Sequence, residues 1–280
     1  MIFLNIKIFY TMKIVVFDLD ETLGYFVEFG IFYDCLNRYL NKTKQVNLTQ
    51  SIFNEILDLY PEFLRPNIIE ILAYLKNKKE TYCCDKLMIY TNNQGSPAWS
   101  QQIKNYFETK TNFTLFDQII AAFKINGKRV EIYRTTHDKS YNDLIRCTKL
   151  PLHAEICFID DNYFPGMMNK NVYYINLKPY MYDLPLHEMV HRLSNSSVGK
   201  KLMLSSEMND FNDFINKEFE LYNYTVNEKQ KEEHDIDEII SKQILIHLDN
   251  FFDKSLKKKT KKSKTKKNNF NKKNRTYKNN

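Results

Sequence analysis

Acidic side chains directly follow two apolar segments of this sequence. Asp18 and Asp20 come after KIVVF, and Asp160 and Asp161 come after EICFI. Carboxylates this close in sequence repel each other unless a cation lies between them, so each pair is a candidate ligand set for a hard divalent ion. A carboxylate beside such an ion can attack phosphorus, while a neighbouring carboxyl protonates the leaving alcohol and later activates water.

Side chains suited to binding a phosphoryl group accompany these acids. Thr22 ends the segment DLDET and offers a hydroxyl and backbone amides, and Thr91 and Asn92 directly follow the apolar segment KLMIY. A hydroxyl or amide can donate to a phosphoryl oxygen, and the ammonium of Lys139 can neutralise charge that develops there. Together the residues fit phosphoryl transfer, in which positioning and charge stabilisation supply most of the catalysis.

Hydrophobic patterning indicates the elements that must bring these groups together. Short apolar runs predict buried strands at 13–17, 86–90, 118–123, 155–159 and 172–175, with helical periodicity between them. This alternation predicts an α/β fold, a Rossmann-like core whose mostly parallel sheet is flanked by helices. Ligands of such sheets bind at the carboxyl ends of the strands, where the polar clusters fall.

Composition divides the chain into four parts. We expect residues 1–11 to be an N-terminal extension and residues 12–180 to be the catalytic core, with a small helical lid inserted at 24–65. Apolar residues at three- and four-residue spacing predict a helical C-terminal extension over 181–253. Residues 254–280 hold 13 Lys and Arg and no acidic residue, which is typical of a disordered basic tail.

The positive charge of the chain belongs to that tail. The whole sequence has a formal charge of +7, whereas the residues before 254 carry 28 basic and 34 acidic side chains, a charge of −6. The body therefore presents no globally basic surface for nucleic acid. For the tail, nucleic-acid contact by counterion release, nuclear targeting and simple solubilisation all stay open.

Cysteine usage and hydropathy bear on the compartment. Five cysteines, an odd number with no CxxC spacing, argue against a disulfide framework and a cysteine zinc site. No apolar run approaches the roughly 20 residues that span a bilayer. We therefore expect an intracellular protein, cytoplasmic or nuclear, that is neither secreted nor bound to a membrane.

Four segments, taken in order, resemble the motifs of the haloacid dehalogenase superfamily: VVFDLDETLG, LMIYTNNQG, HDKSYNDLI and ICFIDDN. The first carries DxDxT after a strand, the second ends a strand in Thr, the third starts a helix with Lys, and the fourth ends a strand in paired acids. The resemblance covers about residues 13–180. The matched residues are Asp18, Asp20, Thr22, Thr91, Lys139, Asp160 and Asp161.

The resemblance implies roles for the residues of the first three motifs. Asp18 would be the nucleophile and a Mg²⁺ ligand, and Asp20 would be the general acid/base and a Mg²⁺ ligand through its backbone carbonyl. Thr91 and Lys139 would hold the phosphoryl group, with Asn92 and Thr22 as further phosphate-binding residues.

In the fourth motif, one acid would bind Mg²⁺ directly, and the other would act through water or through the motif's lysine. Asp161 is favoured over Asp160 as the direct ligand. The resemblance thus implies a Mg²⁺-dependent phosphatase that hydrolyses phosphomonoesters through an aspartyl-phosphate intermediate.

Two departures keep the substrate open. FDLDETL and the later FLRP resemble phosphatases of the RNA polymerase II carboxy-terminal domain, but Gly24-Tyr25 replaces their usual Val-His type. TNNQG is closer to the TNQxG of histidinol-phosphate and polynucleotide phosphatases. A phosphoprotein is therefore one expected substrate class, and nucleotides or nucleic-acid ends are an alternative. A catalytically weak protein that binds nucleic acid or another partner is a further alternative.

A competing pattern lies at His187-Glu188-Met189-Val190-His191, which matches HExxH. On a helix this spacing puts two imidazoles on one face for zinc, with the glutamate as base. A third ligand would have to be an acid such as Glu207, and the simpler reading is an exposed stretch of an amphipathic helix.

Overall fold

The fold is described from a computed structural model, which covers residues 11–44, 47–222 and 226–276; Ser205 and residues 254–276 are described by their backbone alone. Five strands form one parallel sheet in the order β3-β2-β1-β6-β7. Their bounds are β1 Lys13–Phe17, β2 Lys86–Tyr90, β3 Gln118–Ile120, β6 Glu155–Asp160 and β7 Val172–Asn176. The predicted α/β fold is confirmed.

The register of the central strand aligns the ends of its neighbours. Phe17, the last residue of β1, lies opposite Ile89 of β2 and Ile159 of β6. The chain continues in register, because the amide of Asp18 donates to the carbonyl of Ile159 at 2.8 Å. The residues that follow β1, β2 and β6 therefore meet at one edge of the sheet.

Helices cover both faces of the sheet because both faces of its strands are apolar. Val15 and Phe17 belong to the larger core, with α1 Val27–Lys44, α2 Gln50–Leu57, α3 Ile68–Glu80 and α4 Pro97–Thr111. Ile14 and Val16 belong to a smaller core with α5 Tyr141–Thr148. A hairpin of β4 Lys124–Ile125 and β5 Lys128–Arg129 lies between the second and third of the four motif segments.

The C-terminal part is helical, as the sequence predicts: α6 Leu186–Asn195, α7 Ser197–Leu202, α8 Met208–Glu220 and α9 Lys231–Thr276. Phe211, Ile215 and Leu248 lie in the larger core, where α8 packs against α1, and α9 packs against α3 and β7. Part of the predicted extension 1–11 lies outside the described residues, which begin at Thr11.

The last helix continues past residue 254, where the sequence predicts that the helical extension ends. The helical backbone of α9 continues to Thr276, into the segment for which the sequence predicts disorder. Lysine loses little rotamer freedom in a helix, and the earlier turns of α9 are anchored by packing, so the backbone can continue as helix. The side chains of 254–276 and all of 277–280 lie outside the description, and the role of the tail stays a prediction.

Within the described ranges, no helix has both the length and the apolar character that crossing a bilayer requires. All five cysteines are free thiols, and four of them are buried.

Candidate active site

The centre of the site is a buried ammonium between two carboxylates. The Nζ atom of Lys139 donates to Oδ1 of Asp18 and, at 2.7 Å, to Oδ2 of Asp160. The three side chains belong to residues that are at most 6% exposed. Lys139 reaches this position because it directly precedes Ser140, the N-cap of α5, whose hydroxyl accepts from the amide of Asp143 at 3.2 Å.

Asp161 is held by its own set of donors beside this centre. Its Oδ1 accepts from the hydroxyl of Thr22 at 2.9 Å, and its Oδ2 accepts from Nδ2 of Asn162 at 2.8 Å. Asn162 also closes the turn after β6, since its amide donates to Oδ1 of Asp160 at 2.9 Å. The two acids of the fourth motif thus have different partners: Asp160 is paired with Lys139, and Asp161 is not.

Three of these carboxylates form a candidate metal centre. Oxygen atoms of Asp18, Asp160 and Asp161 lie within 4.8 Å of one another. Burial raises the pKa of Asp18, and burial likewise raises the pKa of Asp160 to about 7, although Lys139 opposes both shifts. One ammonium does not balance three carboxylates, and an all-oxygen donor set suits Mg²⁺, so the residues fit the expected ion.

The carboxylate of Asp20 does not belong to this group of three, and binding of Mg²⁺ by its backbone carbonyl stays a prediction. Its Oδ2 accepts from Nδ2 of Asn93 at 2.7 Å, while its buried Oδ1 has no hydrogen-bond partner among the described residues. Burial, partly opposed by the bond from Asn93, raises the pKa of Asp20 to about 6. A carboxyl of this kind can exist in both protonation states near neutral pH, as a general acid/base requires.

Arg134 fixes the loop after β2, although no sequence pattern marks it. Its guanidinium is fully buried and donates to the carbonyls of Thr91 at 3.0 Å and Ala121 at 2.8 Å. It also donates to the carbonyl of His137 and to Oδ1 of Asn92, both at 2.7 Å. Because Oδ1 of Asn92 is occupied by this bond, the Nδ2 donor of that amide is left for the cleft.

A second buried arginine holds the loop after β1. Arg65 donates to the carbonyl of Thr22 at 2.7 Å and to that of Glu21 at 2.6 Å. Glu21 needs this support because its φ of 60° lies in the left-handed region. Gly24 is required in the same loop, since a Cβ there would lie 2.4 Å from the carbonyl oxygen of Phe63. This close approach gives a physical reason for the glycine that departs from the family pattern.

These groups surround a cleft of about 190 Å³ at the carboxyl edge of the sheet. Its wall contains four residues that the sequence did not single out, and no wall residue comes from the predicted lid at 24–65, which packs in the larger core. The lining residues are Asp18, Asp20, Glu21, Thr91, Asn92, Asn93, Lys139, Asn162 and Phe164.

The structure brings the predicted site residues together, with one difference. Thr22 is fully buried and its hydroxyl is donated to Asp161, so its side chain supports a candidate metal ligand and does not line the cleft. A phosphate contact through its backbone amide stays a prediction. Of the missed residues, Asn93 and Asn162 could have been found because each directly follows a predicted site residue. Arg134 and Phe164 offered no such signal.

The HExxH segment has no comparable geometry. Its histidines are exposed on α6, and Glu188 is paired with Arg192 at 2.9 Å. Glu207, the suggested third ligand, is instead paired with Lys44 at 2.6 Å. Among the described residues, neither His187 nor His191 belongs to a group of three side chains that could hold a metal.

Comparison with known proteins adds no relative to this picture. No family model, no curated protein and no solved structure matches the chain.

Proposed function

We propose that this protein is a Mg²⁺-dependent phosphatase of the haloacid dehalogenase type, which hydrolyses phosphomonoesters through an aspartyl phosphate on Asp18. The observation that carries the proposal is the buried cluster of Asp18, Lys139, Asp160 and Asp161 beside a cleft that also contains Asp20. Burial of like charges lowers the stability of the folded protein, so such a cluster is typical of a functional site, and its residue types fit phosphoryl transfer.

Each residue has a defined part in the reaction. Asp18, Asp160 and Asp161 would hold Mg²⁺, which when bound neutralises charge on the phosphoryl oxygens. A carboxylate oxygen of Asp18 attacks phosphorus, the bond from phosphorus to the leaving oxygen breaks, and Asp20 gives that oxygen its proton. Asp20 then takes a proton from water, whose oxygen attacks the same phosphorus and releases inorganic phosphate and the free Asp18 carboxylate.

Three groups would stabilise the transferring phosphoryl group. Lys139 places its ammonium beside the nucleophile, and Thr91 and Asn92 offer a hydroxyl and an amide donor from the loop that Arg134 fixes. The small cleft supports a substrate that inserts only its phosphate and the adjoining atoms. A phosphoprotein is the first substrate class to test, and nucleotides and nucleic-acid ends are the second.

The test compares Asp18→Asn with wild type and with Asp213→Asn, a control at an exposed position of α8. We expect wild type to hydrolyse 4-nitrophenyl phosphate when Mg²⁺ is present, and we expect this hydrolysis to stop when a chelator is added. Asp18→Asn should be slower by at least about 10³-fold, because removal of a nucleophile removes the covalent route, and Asp213→Asn should be unchanged.

Full turnover by Asp18→Asn would overturn the mechanism. So would the absence of wild-type turnover on 4-nitrophenyl phosphate and on a panel of phosphopeptides, nucleotides and phosphorylated oligonucleotides. In that case, salt-sensitive nucleic-acid binding that is lost when residues 254–280 are removed would favour a binding protein.

A further inference from the structure

Two hydrogen bonds hold Asn93 in the loop after β2, one donated by its backbone amide and one accepted by its side-chain oxygen. Its amide donates to the hydroxyl oxygen of Thr91 at 2.9 Å, and its Oδ1 accepts from the amide of Gly95 at 2.8 Å. Gly95 can approach this closely because it has no Cβ, which would lie 2.8 Å from the same Oδ1. With Oδ1 fixed as the acceptor, the orientation of the side-chain amide is determined, and its Nδ2 faces Asp20.

The contact with Asp20 distinguishes the two oxygens of that carboxyl. Nδ2 of Asn93 donates to Oδ2 at 2.7 Å, whereas Oδ1 is buried, has no partner in the part of the chain that the structure describes, and belongs to a side chain that lines the cleft. In a protonated carboxyl, the oxygen that accepts a hydrogen bond is the carbonyl oxygen, and the other oxygen carries the proton. The bond from Asn93 therefore selects Oδ1 as the proton carrier.

We propose that Asn93 is the positioning residue for proton transfer by Asp20: its amide holds Oδ2 so that Oδ1 delivers the proton to the leaving oxygen of the substrate. This inference rests on the proposed function and deepens it. The proton moves from Oδ1 to the leaving oxygen as the bond between that oxygen and phosphorus breaks, and Asp20 is left as a carboxylate whose Oδ2 keeps the bond from Asn93.

The chemistry predicts a dependence on the leaving group that a purely structural role would lack. A nitrophenolate leaves with little help from an acid, whereas an alkoxide leaves only if its oxygen is protonated in the transition state. Loss of Asn93 should therefore slow hydrolysis of alkyl phosphates far more than hydrolysis of aryl phosphates. A residue that only shapes the loop would affect both esters equally, because both place the same phosphoryl group beside Thr91.

The experiment measures kcat/KM for 4-nitrophenyl phosphate and for glycerol phosphate with the full chain and Mg²⁺. Asn93→Ala and Asn93→Leu both remove the donor, and leucine keeps a similar side-chain volume without adding a charge beside Asp20. Gln94→Ala is the matched control, since Gln94 is exposed in the same loop and donates only to the carbonyl of Asn92 at 3.0 Å.

We expect both Asn93 variants to lose about 10- to 100-fold more activity on glycerol phosphate than on the aryl ester. Asp20→Asn should show the same pattern, and Gln94→Ala should show none. Equal losses on the two esters, or no loss from either Asn93 variant, would overturn the inference and leave the proposed function standing. A wild type that hydrolyses neither these esters nor the wider panel would overturn both.

Discussion

Lys139 places its charge where three carboxylates would otherwise face each other. The contacts of its Nζ with Asp18 and Asp160 keep these acids together in the absence of an ion. Burial raises the pKa values of both acids, which means that the protein resists their full ionisation. At the residue scale, the site therefore contains more buried carboxylates than ammonium groups, and a divalent cation would neutralise the excess negative charge.

Replacement of Lys139 by Ala should destabilise the metal-free protein by about 3 kcal/mol or more, because it leaves two buried carboxylates without their partner. The measurement is the urea midpoint in chelator, repeated with Mg²⁺, which should return part of the loss through binding to the folded state. Lys242→Ala is the control: its pair with Glu238 is 63% and 57% exposed, and such pairs contribute about 0.3–0.5 kcal/mol. An unchanged midpoint for Lys139→Ala would contradict the prediction.

The acids of the site could be predicted from the sequence because each directly follows an apolar strand. Strand ends in a parallel sheet share an edge, so position along the chain is enough to place Asp18 near Asp160. The partner of Asp20 could not be predicted, because the bond from Asn93 joins residues 73 positions apart and depends on the turn at Gly95. Neither residue type nor spacing encodes such a contact.

At the scale of elements, two buried arginines hold the loops of the site, because their guanidinium groups donate hydrogen bonds to the backbone carbonyls of those loops. Arg65 holds the loop after β1, and Arg134 holds the loop after β2 and the segment before α5. A planar guanidinium can satisfy several carbonyls at once, which a lysine ammonium cannot do with the same geometry. The loops therefore keep their shape although neither belongs to a helix or a strand.

Arg134→Lys should lower stability by about 2–3 kcal/mol, because it keeps the charge and leaves buried acceptors without donors. We also expect kcat/KM to fall roughly 10-fold or more, since Thr91 and Asn92 lose their support. Arg38→Lys provides the control, because the side chain of Arg38 is 42% exposed in surface ion pairs. Equal melting temperatures and rates for the two variants would show that the buried guanidinium of Arg134 supports neither the stability nor the loop.

The sequence predicted most elements and missed some of their ends. Helix α3 begins only at Ile68, because the preceding Asn67 has a φ of 57° that a right-handed helix cannot contain. The strand expected over 118–123 ends at Ile120, and the next carbonyl, that of Ala121, accepts from Arg134. The end of this strand thus coincides with a contact between separate segments, which hydrophobic periodicity does not report.

At the scale of the molecule, the buried Asp237 links the last helix to the segment after β7, since the Nζ atom of Lys178 lies 3.7 Å from its Oδ1. Asp237 of α9 is 1% exposed and is paired with Lys229, whose Nζ lies 4.2 Å from the ring centre of Tyr180. That ring also packs against Arg65, with the guanidinium carbon 5.5 Å from its centre. Packed side chains thus connect the C-terminal helix to Arg65, which holds the loop after β1.

Asp237→Asn should destabilise the protein by about 3–5 kcal/mol, because Lys229 would stay buried without its counter-charge. Glu238→Gln is the matched control one residue away, where the acid is 57% exposed and its loss should be nearly neutral. Thermal melting of the two variants is the measurement. Similar melting temperatures would mean that α9 contributes little through this pair.

The ammonium of Lys13, on the central strand β1, donates to the carbonyls of Phe251 and Phe252 at 2.6 and 2.7 Å. These acceptors follow it by 238 and 239 residues, which the ribosome needs roughly 10–50 s to synthesise. The central strand must also wait for β6 before both of its sides are paired. A nascent chain of this protein therefore exposes an incomplete sheet during most of its translation, a stage at which unpaired strand edges favour aggregation.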